Sequence, residues 1–166
     1  MSIKKALLGV LAVFATVLLV ACHASKNNAS QTADFQKLTA GKSDYRIHLV
    51  YQDDKVSKIV STSTVLYSTI HADSADVAKQ EMEQKGASKY DGIKGVEHKI
   101  DYQDDRLVEK VSVDVSKVDL NANASLLGIV GKENGRLDHI SFQQSQQNIK
   151  AQGYTEVKDG NYQKLN

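Results

Sequence analysis

Cys22 is the residue with the clearest chemistry in this sequence, because it ends the tetrapeptide Leu19-Val20-Ala21-Cys22. Lipoprotein processing requires an aliphatic side chain three residues before a cysteine, a small residue directly before it, and a thiol that accepts a diacylglyceryl thioether. Leu19, Ala21 and Cys22 meet these requirements. The sequence therefore predicts signal cleavage between Ala21 and Cys22 and lipid attachment at Cys22.

The segment before Cys22 has the composition of a signal peptide. Lys4 and Lys5 give a positively charged start, and residues 6–20 form an uncharged apolar run. This run is shorter than the roughly 20 residues that a membrane-spanning helix needs. We therefore expect residues 1–21 to be removed. Since two or more acyl chains hold a protein stably on a membrane, we expect the rest to stay lipid-anchored on the extracytoplasmic face of the cell membrane.

Acidic pairs and histidines are the other residues that could do chemistry. Asp53-Asp54 and Asp104-Asp105 lie between strand-like runs, where aspartates are typical of solvated turns, and neither pair resembles a calcium loop. The histidines show no spacing typical of a zinc site. The phase of its strand places His98 on the core side. An alternative hypothesis is a metal-dependent or hydrolytic enzyme built around His98 and the acidic turns, with Asp101 as a further carboxylate.

Composition argues against other classes of function. Loss of Lys4 and Lys5 lowers the basic residues from 21 to 19, against 20 acidic ones, so the processed chain has a formal charge of −1. Nucleic acid is not an expected partner, because phosphate binding relies on clustered cations. The single cysteine excludes an internal disulfide. No Gly-x-Ser-x-Gly motif or phosphate-binding glycine loop occurs, so we predict no catalytic residue, metal ligand or cofactor, and no enzyme.

The residues after the anchor fall into two regions by composition. Residues 22–42 are mostly small and polar, with Phe35 and Leu38 as the large apolar exceptions. Such a segment buries too little surface to offset its ordering entropy. We therefore predict a lipidated cysteine and flexible tether over residues 22–42, followed by a single domain over residues 43–166.

Alternating apolar residues from Tyr45 to Tyr51 predict a half-buried strand, and residues 52–55 predict a turn. The β-branched run over residues 56–67 predicts the returning strand. An oxygen-bearing cap near Ser74 then predicts a helix to about residue 85 or 90, interrupted near Gly86.

The same order recurs 51 residues later, because Tyr-Gln-Asp-Asp occurs at residues 51–54 and again at 102–105. Ser141 is predicted to cap a second helix over residues 142–152, followed by a short strand at residues 154–157. The predicted fold class is α+β, an antiparallel sheet of four or more strands with two helices packed on one face, built from two hairpin-helix repeats. No structural prediction is made for residues 116–136.

Three stretches of the sequence resemble the YehR-like family of small bacterial lipoproteins. They are the run from Tyr90 to Tyr102, the strand over residues 107–115, and the tail over residues 141–157 with its Gln152-Gly153-Tyr154. The resemblance covers residues 44–158. It implies a compact α+β domain behind a lipobox, and it implies no catalytic role for any residue.

Anchor, tether and compact domain, without a catalytic motif, favour a displayed binding or envelope-accessory domain. Its expected partners are the membrane, through the lipid on Cys22, and an envelope protein or polymer. Besides the enzyme alternative, a third hypothesis concerns residues 14–21, whose apolar character fits a short pheromone trimmed from the signal peptide.

Overall fold

The structure is a computed structural model that describes residues 29–129 and 136–166. The predictions of cleavage after Ala21, lipid attachment at Cys22 and a pheromone in residues 14–21 lie outside the described residues. Within the described ranges, no helix combines the length and the apolar character needed to cross a membrane.

Six strands form one antiparallel sheet in the spatial order β4-β5-β3-β2-β1-β6. The strands are β1 (Gln31–Thr39), β2 (Ser43–Gln52), β3 (Lys55–Leu66), β4 (Val96–Tyr102), β5 (Arg106–Asp114) and β6 (Thr155–Val157). The α+β class and the antiparallel sheet are confirmed.

The prediction of a flexible tether over residues 22–42 is wrong from Gln31 onward. β1 pairs with β2 along its whole length, and Phe35 is 0% exposed. The buried amide of Gln36 donates to the carboxylate of Asp44 at 2.9 Å. β2 pairs with the backbone of β1, and Ala33 and Phe35 pack into the core, so β1 is part of the sheet. The domain therefore begins near residue 31 and not at 43.

The two predicted helices are present with the predicted caps. α1 (Ala75–Gln84) begins after Ser74, whose hydroxyl accepts from the backbone N–H of Val77, and a 3-10 turn (Ala87–Tyr90) follows it. A four-residue helix, α2 (Leu120–Asn123), lies in the region with no predicted element. α3 (Phe142–Ala151) begins after the predicted cap Ser141.

Both longer helices cover the same face of the sheet, which we call the helix face. A larger cluster around Phe35, Leu49 and Val113 packs against α3 through Ile149. A smaller cluster around Val65 and Leu107 packs against α1. Two hairpins, β2–β3 and β4–β5, each precede a helix, but β1 and β6 have no counterparts, so an origin in two hairpin-helix repeats stays a prediction.

Candidate functional site

The two acidic turns lie at opposite ends of the sheet. The turn at Asp53-Asp54 joins β2 to β3, whereas the turn at Asp104-Asp105 lies beside the far end of β3, where Leu66 pairs with Arg106. β3 has 12 residues, which corresponds to roughly 35 Å at about 3.3 Å per residue. The fold therefore does not bring the two acidic turns into one site.

Each acidic turn has a structural partner of its own. The Asp54 carboxylate accepts the hydroxyl hydrogen of Ser141 and the backbone N–H of Gln143, both at 2.8 Å. These two bonds, that of Gln143 first, hold the pKa of Asp54 below its usual value. Asp105 accepts from the Arg106 guanidinium at 2.7 and 2.8 Å, which lowers the pKa of Asp105. Asp54 therefore fastens the start of α3, and Asp105 forms an exposed ion pair.

His98 lies on the helix face, as its strand phase predicts, and its side chain is 8% exposed. Its Nε2 is 3.0 Å from the Glu109 carboxylate and its Nδ1 is 3.5 Å from that of Asp91. The Tyr90 ring lies 5.1 Å away, centroid to centroid, and burial, followed by the charge of Glu109, raises the pKa of Tyr90. Since both ring nitrogens face carboxylates, the surroundings satisfy His98 without a ligand.

No group of three or more histidine, cysteine, aspartate and glutamate side chains in the described ranges is placed to hold a metal ion. His98, Asp53-Asp54 and Asp104-Asp105 also lie in three separate places. Among the described residues, His98 and the two acidic turns therefore do not come together in one site.

A cavity of about 650 Å³ lies between the helix face and α3. Ile47, Leu49 and Ile59 form its floor, and Ser61 extends the floor toward the middle of β3. Leu127 and Ile129 add apolar surface at one side. Residues 130–135, which follow in the chain, lie outside the described ranges and are not used to define the site.

The wall that α3 contributes is polar and uncharged. Facing an apolar floor, an amphipathic helix normally presents apolar residues at spacings of three and four. α3 instead presents Ser145 and Asn148, with its C-cap Gln152, around a single apolar residue, Ile149, and Gln144 lies one turn before Asn148. We call the residues Ser141, Gln144, Ser145, Asn148 and Gln152 the amide stripe.

Sequence reasoning predicted this helix and its Ser141 cap but missed Gln144, Asn148 and Gln152 as site residues. The missed signal is the run of uncharged polar residues at helical spacing on the face that must meet a sheet.

Among the described lining residues, Arg136 and Asp138 carry charge, and both lie at the solvent side of the cavity. Arg136 and Asp138 form an ion pair of 3.2 Å, and their side chains are 79% and 77% exposed. Apart from Gly128 and the exposed His139, the rest of the described lining consists of aliphatic, hydroxyl and carboxamide side chains. This arrangement can bind an uncharged ligand that has both apolar surface and hydrogen-bonding groups.

The opposite face of the sheet is partly covered by the C-terminal tail. The Tyr162 hydroxyl donates to Asp34 at 2.6 Å, and the Arg46 guanidinium lies 4.3 Å from the centre of the Tyr162 ring. Burial, followed by the bond to Asp34, raises the pKa of Tyr162 to about 12. This network fixes the tail on β1 and β2.

Comparison with known proteins identifies relatives among lipoproteins. The uncharacterized lipoprotein Lmo0207 of Listeria monocytogenes is 28% identical over 156 residues, which cover 93% of this chain and 97% of the relative. The uncharacterized lipoprotein YehR of Escherichia coli is 35% identical over 112 residues, covering 68% of this chain and 72% of the relative. These names support the interpretation of the chain as a lipoprotein.

Solved structures agree with the fold. The NMR structure of E. coli YehR has a TM-score of 0.68 at 31% identity and covers 82% of this chain and 96% of its own. An NMR structure of a protein from Streptococcus pneumoniae TIGR4 has a TM-score of 0.51 at 17% identity and covers 95% of this chain and 98% of its own, a likeness of fold alone.

The model of a protein family of unknown function, DUF1307, matches residues 31–155. The match begins at the first residue of β1 and ends at the first residue of β6, so it spans nearly the whole sheet. Together with the YehR relative and its structure, it confirms the resemblance found in the sequence, and the chain belongs to this DUF1307 family.

Proposed function

We propose that the chain is a lipoprotein anchored through Cys22 to the extracytoplasmic face of the cell membrane, and that its domain binds a ligand or partner segment instead of catalysing a reaction. The anchor rests on the tetrapeptide ending at Cys22 and on the lipoprotein relatives. Signal cleavage after Ala21 and acylation of Cys22 belong to the same proposal.

The cavity beneath α3 is the single observation that carries the binding role. Its volume of about 650 Å³ lies in the range of ligand sites, roughly 300–1,000 Å³. Water that entered this space would contact the aliphatic floor of Ile47, Leu49 and Ile59. Release of that water by a ligand with apolar surface is favourable, while the amide stripe fixes the orientation of the ligand through hydrogen bonds.

The local chemistry of the titratable groups favours binding over catalysis. Asp54 is engaged in capping α3, and both nitrogens of His98 face carboxylates. A general base needs a free position within hydrogen-bond reach of a substrate proton. Neither group offers one in this arrangement.

A photo-crosslinking amino acid in the full chain, expressed in bacterial cells, tests the binding role. At position 144 the crosslinker lines the cavity, whereas at position 147, on the same helix, it points into solvent away from the cavity. We expect an adduct from position 144 that is absent from position 147, and its loss when Ser145→Phe fills the cavity. Equal adducts at both positions, or no adduct at position 144, would reject the proposal.

Metabolic labelling with palmitate tests the anchor separately. We expect label in the wild-type chain and none in Cys22→Ala. Equal labelling of the two chains would contradict acylation at Cys22 and would leave the cavity proposal to its own test.

A further inference from the structure

We infer that the cavity beneath α3 binds an uncharged, extended peptide segment of about five residues with aliphatic side chains. This inference rests on the proposed binding function and specifies its ligand. It follows from three features of the site, which are the hydrogen-bonding groups of the amide stripe, the distribution of charge, and the length of the stripe.

The amide stripe offers the hydrogen-bonding groups that a peptide backbone requires. A carboxamide side chain carries two N–H donors and an accepting oxygen, so it can bond the C=O and the N–H of a passing peptide. Within the described residues, Gln144 bonds Ser141 through its backbone N–H, and Gln152 accepts from Lys37 through its backbone carbonyl. The side-chain amides of Gln144, Asn148 and Gln152 make no hydrogen bond to another described residue.

A ligand without polar groups fits this wall poorly. A hydrocarbon chain filling the cavity would displace water from the carboxamides of Asn148 and Gln152 and from the Ser145 hydroxyl without replacing the lost hydrogen bonds. Polar groups that are buried without partners destabilise a complex. A peptide backbone replaces those bonds, while its aliphatic side chains cover Ile47 and Ile59 on the floor.

Within the described lining, the distribution of charge disfavours an ionised segment in the interior. The charged lining residues Arg136 and Asp138 pair with each other at the solvent side, so neither compensates a charge held beneath Asn148. Burial of an unpaired charge is strongly unfavourable. The part of the peptide inside the cavity must therefore be uncharged.

The stripe also sets the length of the segment. Ser141 and Gln152 are 11 residues apart on a helical path, which is roughly 16 Å at about 1.5 Å per residue. An extended chain covers about 3.3 Å per residue. The stripe therefore matches about five residues of an extended peptide.

The test uses the full chain in nanodiscs of phosphatidylglycerol and phosphatidylethanolamine, with an acetylated and amidated pentapeptide, Ala-Leu-Ala-Leu-Ala, that carries photo-leucine at its second position. We expect crosslinks to α3 or to the floor strands β2 and β3. Asn148→Leu removes one carboxamide and should weaken binding about tenfold, the equivalent of roughly one good hydrogen bond. Gln147→Leu, on the solvent side of the same helix, should leave binding unchanged.

Asn148→Leu places an aliphatic side chain over an aliphatic floor, so the fold should persist, and circular dichroism checks this. Gln152→Leu serves as a second variant. The peptide inference is overturned if both variants bind as the wild type does, or if a pentapeptide with glutamates in place of leucines binds equally well. Preferential binding of palmitic acid in the cavity would also overturn it, yet would leave the binding function intact. Failure of position 144 to form an adduct in cells, in the chain without Ser145→Phe, would refute both the binding function and the peptide inference.

Discussion

Replacement of Asp54 tests whether an acidic turn that the enzyme alternative would use for chemistry is instead a structural element. Its two carboxylate oxygens accept from the Ser141 hydroxyl and the Gln143 N–H at 2.8 Å each. Its backbone carbonyl accepts the N–H of Phe142 at 2.9 Å. Asp54 thus fastens the first turn of α3 to the β2–β3 turn, although the two are 87 residues apart in sequence.

The expected loss follows from the two side-chain bonds. Hydrogen bonds to charged groups contribute about 1.5–3 kcal/mol each, and helix caps about 0.5–2 kcal/mol. Because Asp54 is partly exposed, we expect its contribution to lie toward the lower end of these ranges. We expect Asp54→Ala to lower the free energy of unfolding by about 2 kcal/mol. Asp54→Asn keeps one accepting oxygen and should lose about 1 kcal/mol.

Asp53→Asn is the matched control for the adjacent residue. Asp53 has φ +54°, a conformation that asparagine also tolerates, and its side chain is exposed. The expected change in the free energy of unfolding is within about 0.5 kcal/mol.

The effect of Asp54 should depend on pH in a defined direction. Its pKa is lowered in the folded chain relative to 3.8, so the stabilisation is present above pH 3.8 and is lost as the pH falls through the folded pKa. The difference between wild type and Asp54→Asn should therefore be constant above about pH 5 and shrink below pH 3.8.

Urea unfolding followed by circular dichroism, on a soluble form that begins at residue 23, measures these differences. Hydrogen exchange should locate the change in α3. Equal stability of Asp54→Asn and wild type, an equal loss in Asp53→Asn, or a difference unaltered down to pH 2 would refute the capping argument.

Three further predictions concern the core, a close approach of the backbone and the tail. Phe35→Ala, at a fully buried side chain of β1, should cost about 3–5 kcal/mol in urea unfolding, whereas a flexible tether would lose nothing. Gly92 and Gly95 both have positive φ, but only at Gly95 would an added Cβ meet backbone, at 2.8 Å. Gly92→Ala should lower the free energy of unfolding by roughly 1 kcal/mol, and Gly95→Ala should lower it by well over that amount. Equal melting temperatures of the two variants would contradict this. The raised pKa of Tyr162, about 12, means that the folded chain loses stability as the pH rises from about 10 toward 12. Tyr162→Phe, which also lacks the bond to Asp34, should show a smaller loss over that interval, and an identical pH profile would exclude Tyr162 as its source.

Periodicity in the sequence was sufficient to predict β2, β3, α1 and α3, because each has an apolar pattern and its own caps or turns. β1 could not be predicted in this way. Over Gln31–Thr39 it has one large buried apolar side chain, Phe35, and its buried polar residue Gln36 is satisfied by Asp44, from the next strand. Composition measures what a segment buries by itself, whereas β1 is stabilised by what its neighbours supply.

The cavity residues could not be predicted from the sequence for a related reason. Ser145, Asn148 and Gln152 are ordinary residues for the solvated side of a helix, and only the position of Ile149 against the sheet shows that they face inward. His98 and the Asp-Asp pairs were candidate site residues because of their residue types, yet the fold gives each of them a partner in a structural contact. In this chain, the position of a residue on its helix or strand indicated its role better than its residue type did.

Because β1 is part of the sheet, the link between the proposed anchor and the domain is short, and the binding site lies closer to the membrane. With an anchor at Cys22, as proposed, a tether to residue 43 would allow a reach of about 70 Å, whereas a sheet that begins at Gln31 limits the reach to about 30 Å. Gln31 pairs with Tyr51 at the end of the sheet that carries the β2–β3 turn, and the Tyr51 ring stacks on Phe142 of α3 at 3.6 Å. The end of the sheet where α3 begins is therefore the one tied to the membrane, and the β4–β5 turn is remote from it. A ligand of the cavity must be available within a few nanometres of the lipid surface.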